Sequence, residues 1–256
     1  MTQLDTGVPH SARVWNHWLG GTDNFAADRA AGDEFARLYP DIVTVARSSR
    51  AFLKRAVTFL AAEIGVCQFL DVGTGIPSAE HTHQIVRAVT PRAQVVYVDN
   101  DPLVLDHAHE VLAGEAVYLD ADLREPGSII ASSGLDFDSP VALILTNILG
   151  HIPDLDEAVT VVHSLMFPLP AGSYLVTADG TNVLDGAAFE AAIAMWNANA
   201  PLPYHLRHPD ELARFLDGLE LVPPGLVPCA RWRPWPGATA DELRETDEFA
   251  AVARKP

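Results

Sequence analysis

The sequence predicts a doubly wound α/β fold with a mostly parallel sheet, preceded by a helical extension. Between residues 69 and 176, short apolar runs alternate with helical segments, a pattern typical of parallel strands joined by crossover helices. The run at 141–145 is apolar at every position, as expected for a central strand buried on both faces. Helical patterns at 11–19, 26–39 and 42–64 place the extension at residues 1–64.

The remaining elements follow from the same alternation. Strands are predicted at 69–72, 94–99, 116–119, 141–145 and 172–178, with two closing strands at 219–222 and 226–232. Further helices are predicted at 77–89, 103–113, 154–166, 186–199 and 210–217. We expect these elements to form a core over residues 65–236. The charged segment at 241–253 is predicted to form a solvated helix within a C-terminal tail at 237–256.

Composition restricts the classes of partner. The chain has 256 residues, 48% of them hydrophobic, and a net charge of −17. Nucleic acids and anionic membranes are bound through basic patches, and the sequence shows none, so we expect neither partner. Cys67 and Cys229 are isolated, as is typical of reduced thiols, and the sequence shows neither a signal peptide nor a membrane span. We therefore expect a cytoplasmic protein.

The most informative stretch is the turn after the first strand, Gly73-Thr74-Gly75. Glycines adopt backbone angles closed to other residues and let a ligand approach the main chain. A Gly-x-Gly turn alone would favour an ordinary turn that binds nothing. The next strand, however, ends at Asp99, near the distance of about 20 residues at which nucleotide-binding folds place an acid for the ribose hydroxyls. Together they predict a site for an adenosine-containing ligand.

Two further residues distinguish between such ligands. Dinucleotide folds carry a third glycine beneath the pyrophosphate, and the corresponding position here is Ser78. Asp71 lies just before the turn, where a carboxylate repels a pyrophosphate but attracts an amino or sulfonium group. S-adenosylmethionine (SAM) has a ribose, an amino group and a sulfonium, and it has no phosphate. We therefore expect SAM, with a nicotinamide-dependent oxidoreductase as an alternative.

Distinctive motifs extend well beyond the glycine turn. They include ARVW at 12–15, LGGTDNF at 19–25, RAFL at 50–53, QFLDVGTGIP at 68–77 and VYVDNDP at 96–102. Together they resemble an actinobacterial family of SAM-dependent methyltransferases that was long known only as a domain of unknown function. The resemblance covers the chain from Ala12 to Trp235 and implies a class I methyltransferase with a seven-stranded, Rossmann-like sheet and an N-terminal helical extension. It implies SAM as cofactor and S-adenosylhomocysteine (SAH) as product, without a defined substrate.

The resemblance also implies a cofactor site at the carboxyl ends of the strands. The glycine turn and the residue before it would hold the methionine end, the end of strand two the ribose and the end of strand three the adenine. The N-terminal helices would close over the cofactor. The predicted cofactor-binding residues are Arg13, Gly20, Gly21, Asn24, Arg50, Asp71, Gly73, Thr74, Gly75, Asp99, Asn100, Asp122, Leu123 and Asn147. Two alternatives stay open. Arg50 would equally suit a solvated basic face. Asp122 is expected to bind the adenine, and its alternative role is to cap the segment that follows it.

Candidates for a catalytic base follow strands four and five. His151 lies in a segment that resembles the loop after strand four in small-molecule methyltransferases, although Gly150 replaces the first histidine of that pattern. Asp179 follows strand five, where relatives tend to carry a serine–histidine pair. We expect His151, Asp179 or His17 to assist methyl transfer to an oxygen or nitrogen of a small-molecule acceptor, or else to hold loops in place. The two departures keep a non-catalytic SAM-binding protein open.

Two further expectations concern metals and assembly. The sequence shows no cluster with metal-ligand spacing, so we expect no metal. Tryptophans near both ends of the chain would either mark a homodimer contact or pack the extension onto the core. They are Trp15, Trp18, Trp232 and Trp235.

Overall fold

The fold begins with three helices, as predicted. The computed structural model describes residues 5–76, 81–102, 104 and 116–256. Three predictions lie outside these ranges: Ser78, the start of the helix at 77–89, and the helix at 103–113 apart from residue 104. The first helices are α1 (Ser11–Trp18), α2 (Ala26–Leu38) and α3 (Ile42–Phe59), and α3 continues into a π-helical turn at Leu60–Ile64. Among the described residues, this helical part leads directly into the first strand.

A single mixed sheet forms the centre of the molecule. Its strands are β1 (Gln68–Val72), β2 (Gln94–Asp99), β3 (Val117–Asp120), β4 (Val141–Thr146), β5 (Tyr174–Gly180), β6 (Glu220–Leu221), β7 (Val227–Pro228) and β8 (Glu248–Arg254). The order is β3-β2-β1-β4-β5-β8-β6, with β7 beside β8, and β1 to β5 are parallel. Because β5 covers one edge of β8, the short strands β6 and β7 share the other edge. The predicted fold class is confirmed.

Helices cover both faces of the sheet. They are α4 (Thr82–Arg87), α5 (Pro126–Ser132), α6 (Leu155–Met166), α7 (Gly186–Asn199) and α8 (Pro209–Ala213), in addition to α3. Alternate residues of β4 belong to different cores: Leu143 and Leu145 pack with α6, whereas Ala142 and Ile144 pack with α3. A third apolar cluster joins α1, α2, α3 and α7 above the sheet edge where the strands end.

The C-terminal segment differs from its prediction. The solvated helix predicted at 241–253 is wrong, because residues 248–254 form β8, an antiparallel strand beside β5. The alanines at 250, 251 and 253 favour a helix as isolated residues, yet they are fully buried in the sheet. The charged residues that suggested solvation lie mostly in the loop before the strand. Burial between two strands therefore overrides the local preference of the sequence.

The predicted strand at 226–232 is also shorter than expected. Only Val227–Pro228 pairs with β8, and Cys229–Arg231 form a 3-10 turn. Arg55 of α3 holds this turn, since its guanidinium donates to the carbonyl oxygens of Trp232 at 2.8 Å and Cys229 at 2.7 Å. The Trp232 ring is buried and meets Phe52 edge-on at 5.4 Å. This tryptophan packs the extension onto the core.

Candidate active site

The turn after β1 depends on two glycines. Gly73 has a φ of +74° and Gly75 a φ of +62°, a region that L side chains avoid. A Cβ atom at Gly73 would lie 2.5 Å from Cγ1 of Ile148, so the turn packs against the segment after β4. At Gly75 the nearest atom to such a Cβ would be the Cβ of Ala12, 3.8 Å away. The turn therefore presents bare main chain, and α1 faces it.

Asp99, at the end of β2, is tied to this turn. Its Oδ2 accepts a hydrogen bond from the Gly75 N–H at 2.9 Å, and its Oδ1 accepts one from the Asp101 N–H at 3.0 Å. Burial raises the pKa of the Asp99 carboxyl group, and the two N–H donors lower it. Each oxygen keeps a further lone pair, so the carboxylate is able to accept from hydroxyl groups of a ligand.

Asp122 caps the segment after β3. Its Oδ1 accepts from the Arg124 N–H at 2.8 Å, and its Oδ2 accepts from Nδ2 of Asn100 at 3.3 Å. Asp122 also lies on the wall of a cavity. The two roles predicted as alternatives, a cap and a ligand contact, are therefore compatible in this geometry.

This cavity, of about 230 Å³, lies between the strand ends and the N-terminal helices. Its walls come from the turn after β1, the segments after β2, β3 and β4, the helices α1, α3 and α7, and residues near 204. The predicted site residues that line it are Arg50, Gly73, Thr74, Gly75, Asp99, Asn100, Asp122, Leu123, Asn147 and His151. They come from separate strands and helices, which the fold brings together at one edge of the sheet.

Asp71 lies behind the glycine turn rather than on the wall of this cavity. It is 5% exposed, and its Oδ2 accepts from Oγ1 of Thr82 at 2.7 Å. Burial raises the pKa of the Asp71 carboxyl group to about 6, while the Thr82 hydrogen bond and the charge of Arg50 lower it. Asp71 and Arg50 both line a smaller recess beside the turn.

The other N-terminal residues of the prediction, Arg13, His17, Gly20, Gly21 and Asn24, do not line the cavity. The buried guanidinium of Arg13 donates to Oδ1 of Asp28 at 2.9 Å, which ties α1 to α2. Nδ2 of Asn24 donates at 2.9 Å to Oδ1 of Asn16 and to the carbonyl oxygen of Gly21. These contacts hold the α1–α2 turn together, so the structure gives these residues a supporting position and no place on the wall.

His17, one of the candidate bases, is directed elsewhere. Its Nε2 lies 2.9 Å from Oδ1 of Asp33, a carboxylate that is largely exposed to solvent. The pair belongs to the outer contacts between α1 and α2. The structure therefore does not bring His17 together with the other candidate bases.

Asn147, the first residue after β4, is held in one orientation. Its φ is +56°, and its N–H donates to the carbonyl oxygen of Ala178 at 2.8 Å. Its Nδ2 donates to Oγ of Ser49 at 2.8 Å and to Oε1 of Glu248 at 2.9 Å. Because these two bonds use both amide hydrogens, the amide oxygen points away from both partners.

Glu248, the partner of Asn147, comes from β8 and is 0% exposed. Burial raises the pKa of its carboxyl group to about 8, although hydrogen bonds with Ser49 and Asn147 lower it. A carboxyl group with this pKa is mostly protonated at neutral pH and therefore uncharged. The strand that the sequence did not predict thus supplies a neutral side chain that orients Asn147.

His151 lies on the cavity wall in a defined tautomer. Its Nδ1 is 2.8 Å from the carbonyl oxygen of Pro203. A carbonyl oxygen only accepts, so Nδ1 carries the hydrogen and Nε2 keeps its lone pair. Burial lowers the pKa of the imidazole below its ordinary value. The ring is therefore neutral near pH 7 and able to accept a proton.

Asp179, at the end of β5, reaches the cavity through Tyr204. Asp179 is 2% exposed, and its Oδ1 accepts a hydrogen bond from the Tyr204 hydroxyl. The same hydroxyl accepts from the Gly180 N–H at 3.2 Å, and both Tyr204 and Gly180 line the cavity. Burial raises the pKa of the Asp179 carboxyl group to about 6, and the Tyr204 hydrogen bond lowers it.

Tyr204 also accounts for the two departures from the methyltransferase pattern. A Cβ atom at Gly150 would lie 2.4 Å from Cζ of Tyr204, so the ring occupies the space that a larger residue would need. The hydroxyl group of the same ring binds Asp179. Gly150 and Asp179 are therefore parts of one arrangement.

Comparison with known proteins agrees with this geometry. The sequence model of the S-adenosyl methyltransferase family matches residues 1–256. The chain belongs to this family. A DUF574 family protein from Streptomyces avermitilis is 39% identical with a TM-score of 0.91, over 98% of this chain and 99% of that one. A protein from Thermobifida fusca, described as a methyltransferase, is 35% identical with a TM-score of 0.90, over 99% of this chain and 97% of that one.

More distant structures share the fold alone. The N-methyltransferase NodS from Bradyrhizobium japonicum, in complex with SAH, is 15% identical with a TM-score of 0.50, over 79% of this chain and 85% of that one. No curated protein matches the chain. The protein is a class I SAM-dependent methyltransferase, as the sequence resemblance implied, and SAM is its cofactor.

The wall of the methyltransferase site fits this cofactor. At its two positive-φ glycines the turn presents main chain alone, and a Cβ at Gly73 would lie 2.5 Å from the Ile148 side chain. Asp99 offers a carboxylate with lone pairs for hydroxyl groups, and Arg50 offers a cation. Within the described residues, no group of three or more His, Cys, Asp or Glu side chains is arranged to hold a metal ion. The described helices include none that is long and apolar enough to span a membrane.

Sequence reasoning missed the part of the wall that α2 and α7 supply. Phe35 of α2 and Phe189, Ile193 and Trp196 of α7 line the cavity, and so does Tyr204. The three residues of α7 follow a spacing of four and three, which is one face of a helix. That periodicity in the sequence predicts that this face of α7 is buried. It does not predict that the face borders a cavity.

Proposed function

We propose that this methyltransferase transfers the methyl group of SAM to an oxygen or nitrogen atom of a small-molecule acceptor. The observation that carries the proposal is the position of His151, which lines the same cavity as the glycine turn and Asp99 and whose Nε2 is left unprotonated by the Nδ1 hydrogen bond to Pro203. SAM supplies an electrophilic methyl group on a sulfonium. The protein then needs to align the acceptor, exclude water and accept a proton.

The cofactor assignments rest on the residues at the strand ends. In this proposal the glycine turn and Arg50 hold the methionine end, Asp99 binds the ribose, and the segment after β3 holds the adenine. Asn147 contributes its oriented amide oxygen. The residues assigned to the cofactor on this ground are Arg50, Asp71, Gly73, Thr74, Gly75, Asp99, Asn100, Asp122, Leu123 and Asn147.

His151 is the base in this proposal, and Asp179 assists through Tyr204. A neutral imidazole with an available Nε2 accepts a proton directly, whereas the buried Asp179 carboxylate is reached only through the tyrosine hydroxyl. His17 has no part in the proposed mechanism, because it pairs with Asp33 away from the cavity wall.

Calorimetric titration with SAM, SAH and NAD tests the cofactor part. We expect SAM and SAH to bind and NAD not to bind. Asp99→Ala should weaken SAH binding by about ten- to a hundredfold, since hydrogen bonds to a charged group are worth about 1.5–3 kcal/mol. The matched control is Asp120→Ala, because Asp120 ends the neighbouring strand but is exposed and lies off the cavity wall. Binding of NAD alone, or equal SAH affinity in both variants, would contradict the assignment.

The catalytic part is tested with His151→Asn. The asparagine amide can still donate to the Pro203 carbonyl but offers no basic nitrogen. With any acceptor found by following SAH release, kcat should fall about a hundredfold or more, while SAH affinity stays unchanged. A variant as active as the wild type would rule out His151 as the base.

A further inference from the structure

We infer that the acceptor is an uncharged aromatic compound that carries a hydroxyl group. The inference rests on the proposed function, because it concerns the same cavity. It starts from one part of the cavity lining, which we call the aromatic wall. The aromatic wall consists of Trp15, Trp18, Phe35, Phe189 and Trp196.

Most of the aromatic wall is a chain of rings in contact. The ring centroids of Trp15 and Trp18 are 5.8 Å apart, those of Trp18 and Phe35 are 5.1 Å apart, and those of Phe35 and Phe189 are 6.2 Å apart. The rings meet at angles between 58° and 81°. Such tilted contacts stabilise the rings against one another. A flat ligand can therefore pack against a surface that is already organised.

The polar atoms of two of these tryptophans are used inside the protein. Nε1 of Trp18 donates to the carbonyl oxygen of Gly32 at 3.1 Å, and Nε1 of Trp196 donates to that of Leu202 at 3.0 Å. These indole rings have no N–H left for a ligand. They offer it carbon atoms and π faces, which favour an aromatic body.

Charged side chains on the cavity lining are confined to the cofactor side. Among the described lining residues, those from α1, α2 and α7 include no acidic or basic side chain. Apart from the histidines, the charged lining residues belong to α3, the end of β2 and the segment after β3; they are Arg50, Asp99, Asp122 and Arg124. An anionic group placed against the aromatic wall would lose its hydration and gain no cationic partner there, so a neutral acceptor is favoured over a carboxylate.

The aromatic wall ends beside His151. The segment 202–204 makes this connection, because the carbonyl of Leu202 accepts from Trp196 and the carbonyl of Pro203 accepts from Nδ1 of His151. The ring of Tyr204 then meets the His151 ring edge-on at 5.2 Å. A hydroxyl group at this end of an aromatic ligand would meet the Nε2 lone pair.

The proposed methyl transfer needs only the acceptor hydroxyl group, SAM and His151. The hydroxyl proton moves to Nε2 of His151 while the hydroxyl oxygen forms a bond to the methyl carbon. The bond between that carbon and the sulfonium sulfur breaks, and its electron pair stays on sulfur. The products are a methyl ether and SAH, and the imidazolium returns its proton to solvent.

Two probes that share one hydroxynaphthalene ring system test the inference on the SAH-loaded, full-length protein. These are 2-naphthol, which is neutral at pH 7, and 6-hydroxy-2-naphthoate, which adds a carboxylate. Calorimetry should show 2-naphthol binding about tenfold tighter or more. With SAM in place of SAH, mass spectrometry should detect the methyl ether of 2-naphthol. Equal or tighter binding of the carboxylate probe would overturn the inference.

Two variants test whether the aromatic wall causes the preference for the neutral probe. Trp15→Lys places a cation on the aromatic wall and should reduce or reverse the preference for the neutral probe. Trp235→Lys is the control, because Trp235 is half exposed and lies off the cavity wall. An unchanged preference in Trp15→Lys would overturn the inference. If SAH binds but neither probe does, the substrate class is wrong and the cofactor assignment survives, whereas failure to bind SAH would overturn the proposed function.

Discussion

The two sides of the cavity are built in different ways. In the proposed function, the cofactor side consists mainly of residues within a few positions of the ends of β1, β2 and β3, together with Arg50 of α3 and Asn147 after β4. The acceptor side is assembled from α1, α2, α7 and the segment 202–204, which lie far apart in the sequence. The first side depends on local backbone geometry and the second on how helices pack. Substitutions should therefore affect one side without the other.

The largest effect should come from Gly73→Ala, on the cofactor side. The alanine would have to adopt a φ near +74°, and its methyl group would lie 2.5 Å from the Ile148 side chain. The strain and the clash together are worth about 2–4 kcal/mol, so SAH affinity should fall about a hundredfold by calorimetry.

Gly127→Ala is the control for this change. Gly127 lies in α5, and a Cβ there would have no atom within 4 Å. Its SAH affinity should equal that of the wild type, with an equal or slightly higher melting temperature. If both variants bind SAH normally, the glycine turn does not form the cofactor cradle.

Gly150→Ala should affect the acceptor side alone. Its Cβ would lie 2.4 Å from Cζ of Tyr204 and would push the ring away from Asp179. We expect kcat/KM to fall about tenfold and SAH affinity to stay unchanged. In a double-mutant cycle, adding Gly150→Ala to Asp179→Asn should cost little more than Asp179→Asn alone, since both changes break the same contact. Independent, additive losses would contradict the proposed coupling.

Glu248→Gln should have the smallest effect on SAH affinity at pH 7, because the buried carboxyl group of the folded protein is already mostly neutral there. The folded protein holds this proton up to about pH 8, whereas an ordinary glutamate loses it near 4.5. The unfolded chain therefore binds fewer protons between these values, and the wild-type free energy of unfolding falls as pH rises through them.

The contribution of the Glu248 carboxyl group is isolated by comparing how the free energy of unfolding depends on pH in the wild type and in Glu248→Gln. Asp71 and Asp179 contribute in the same direction, but their pKa values are about 6. The difference between wild type and variant above pH 6, followed by denaturant unfolding, should therefore come mainly from Glu248. Curves that run parallel up to pH 8 would show that the carboxyl group is ionised in the folded state.

The difference between the two sides of the cavity also explains how much of the site could be predicted from the sequence. Gly73, Gly75 and Asp99 were accessible because strand, turn and helix lie in one short stretch with a recognisable spacing. The aromatic wall was not accessible, because Phe35 and Trp196 become neighbours of one cavity only after α2 and α7 pack together. Periodicity marks the buried face of a helix and does not identify what that face meets.

The C-terminal strand was missed for a related physical reason. Alanine-rich residues at 250–253 favour a helix locally, and only pairing with β5 makes them a strand. Without that strand there was no reason to place Glu248 behind Asn147. The orientation of the asparagine amide could therefore not be predicted, although Asn147 itself was among the predicted cofactor-binding residues.

Tyr204 has a consequence for how this family can diverge. A relative that acquires a side chain at position 150 has no room for the ring at 204, and an acid at 179 then loses its hydroxyl partner. Single changes at these positions should be counter-selected, so we expect the three to be inherited together. A relative in which one of these three positions differs should therefore carry changes at the other two as well.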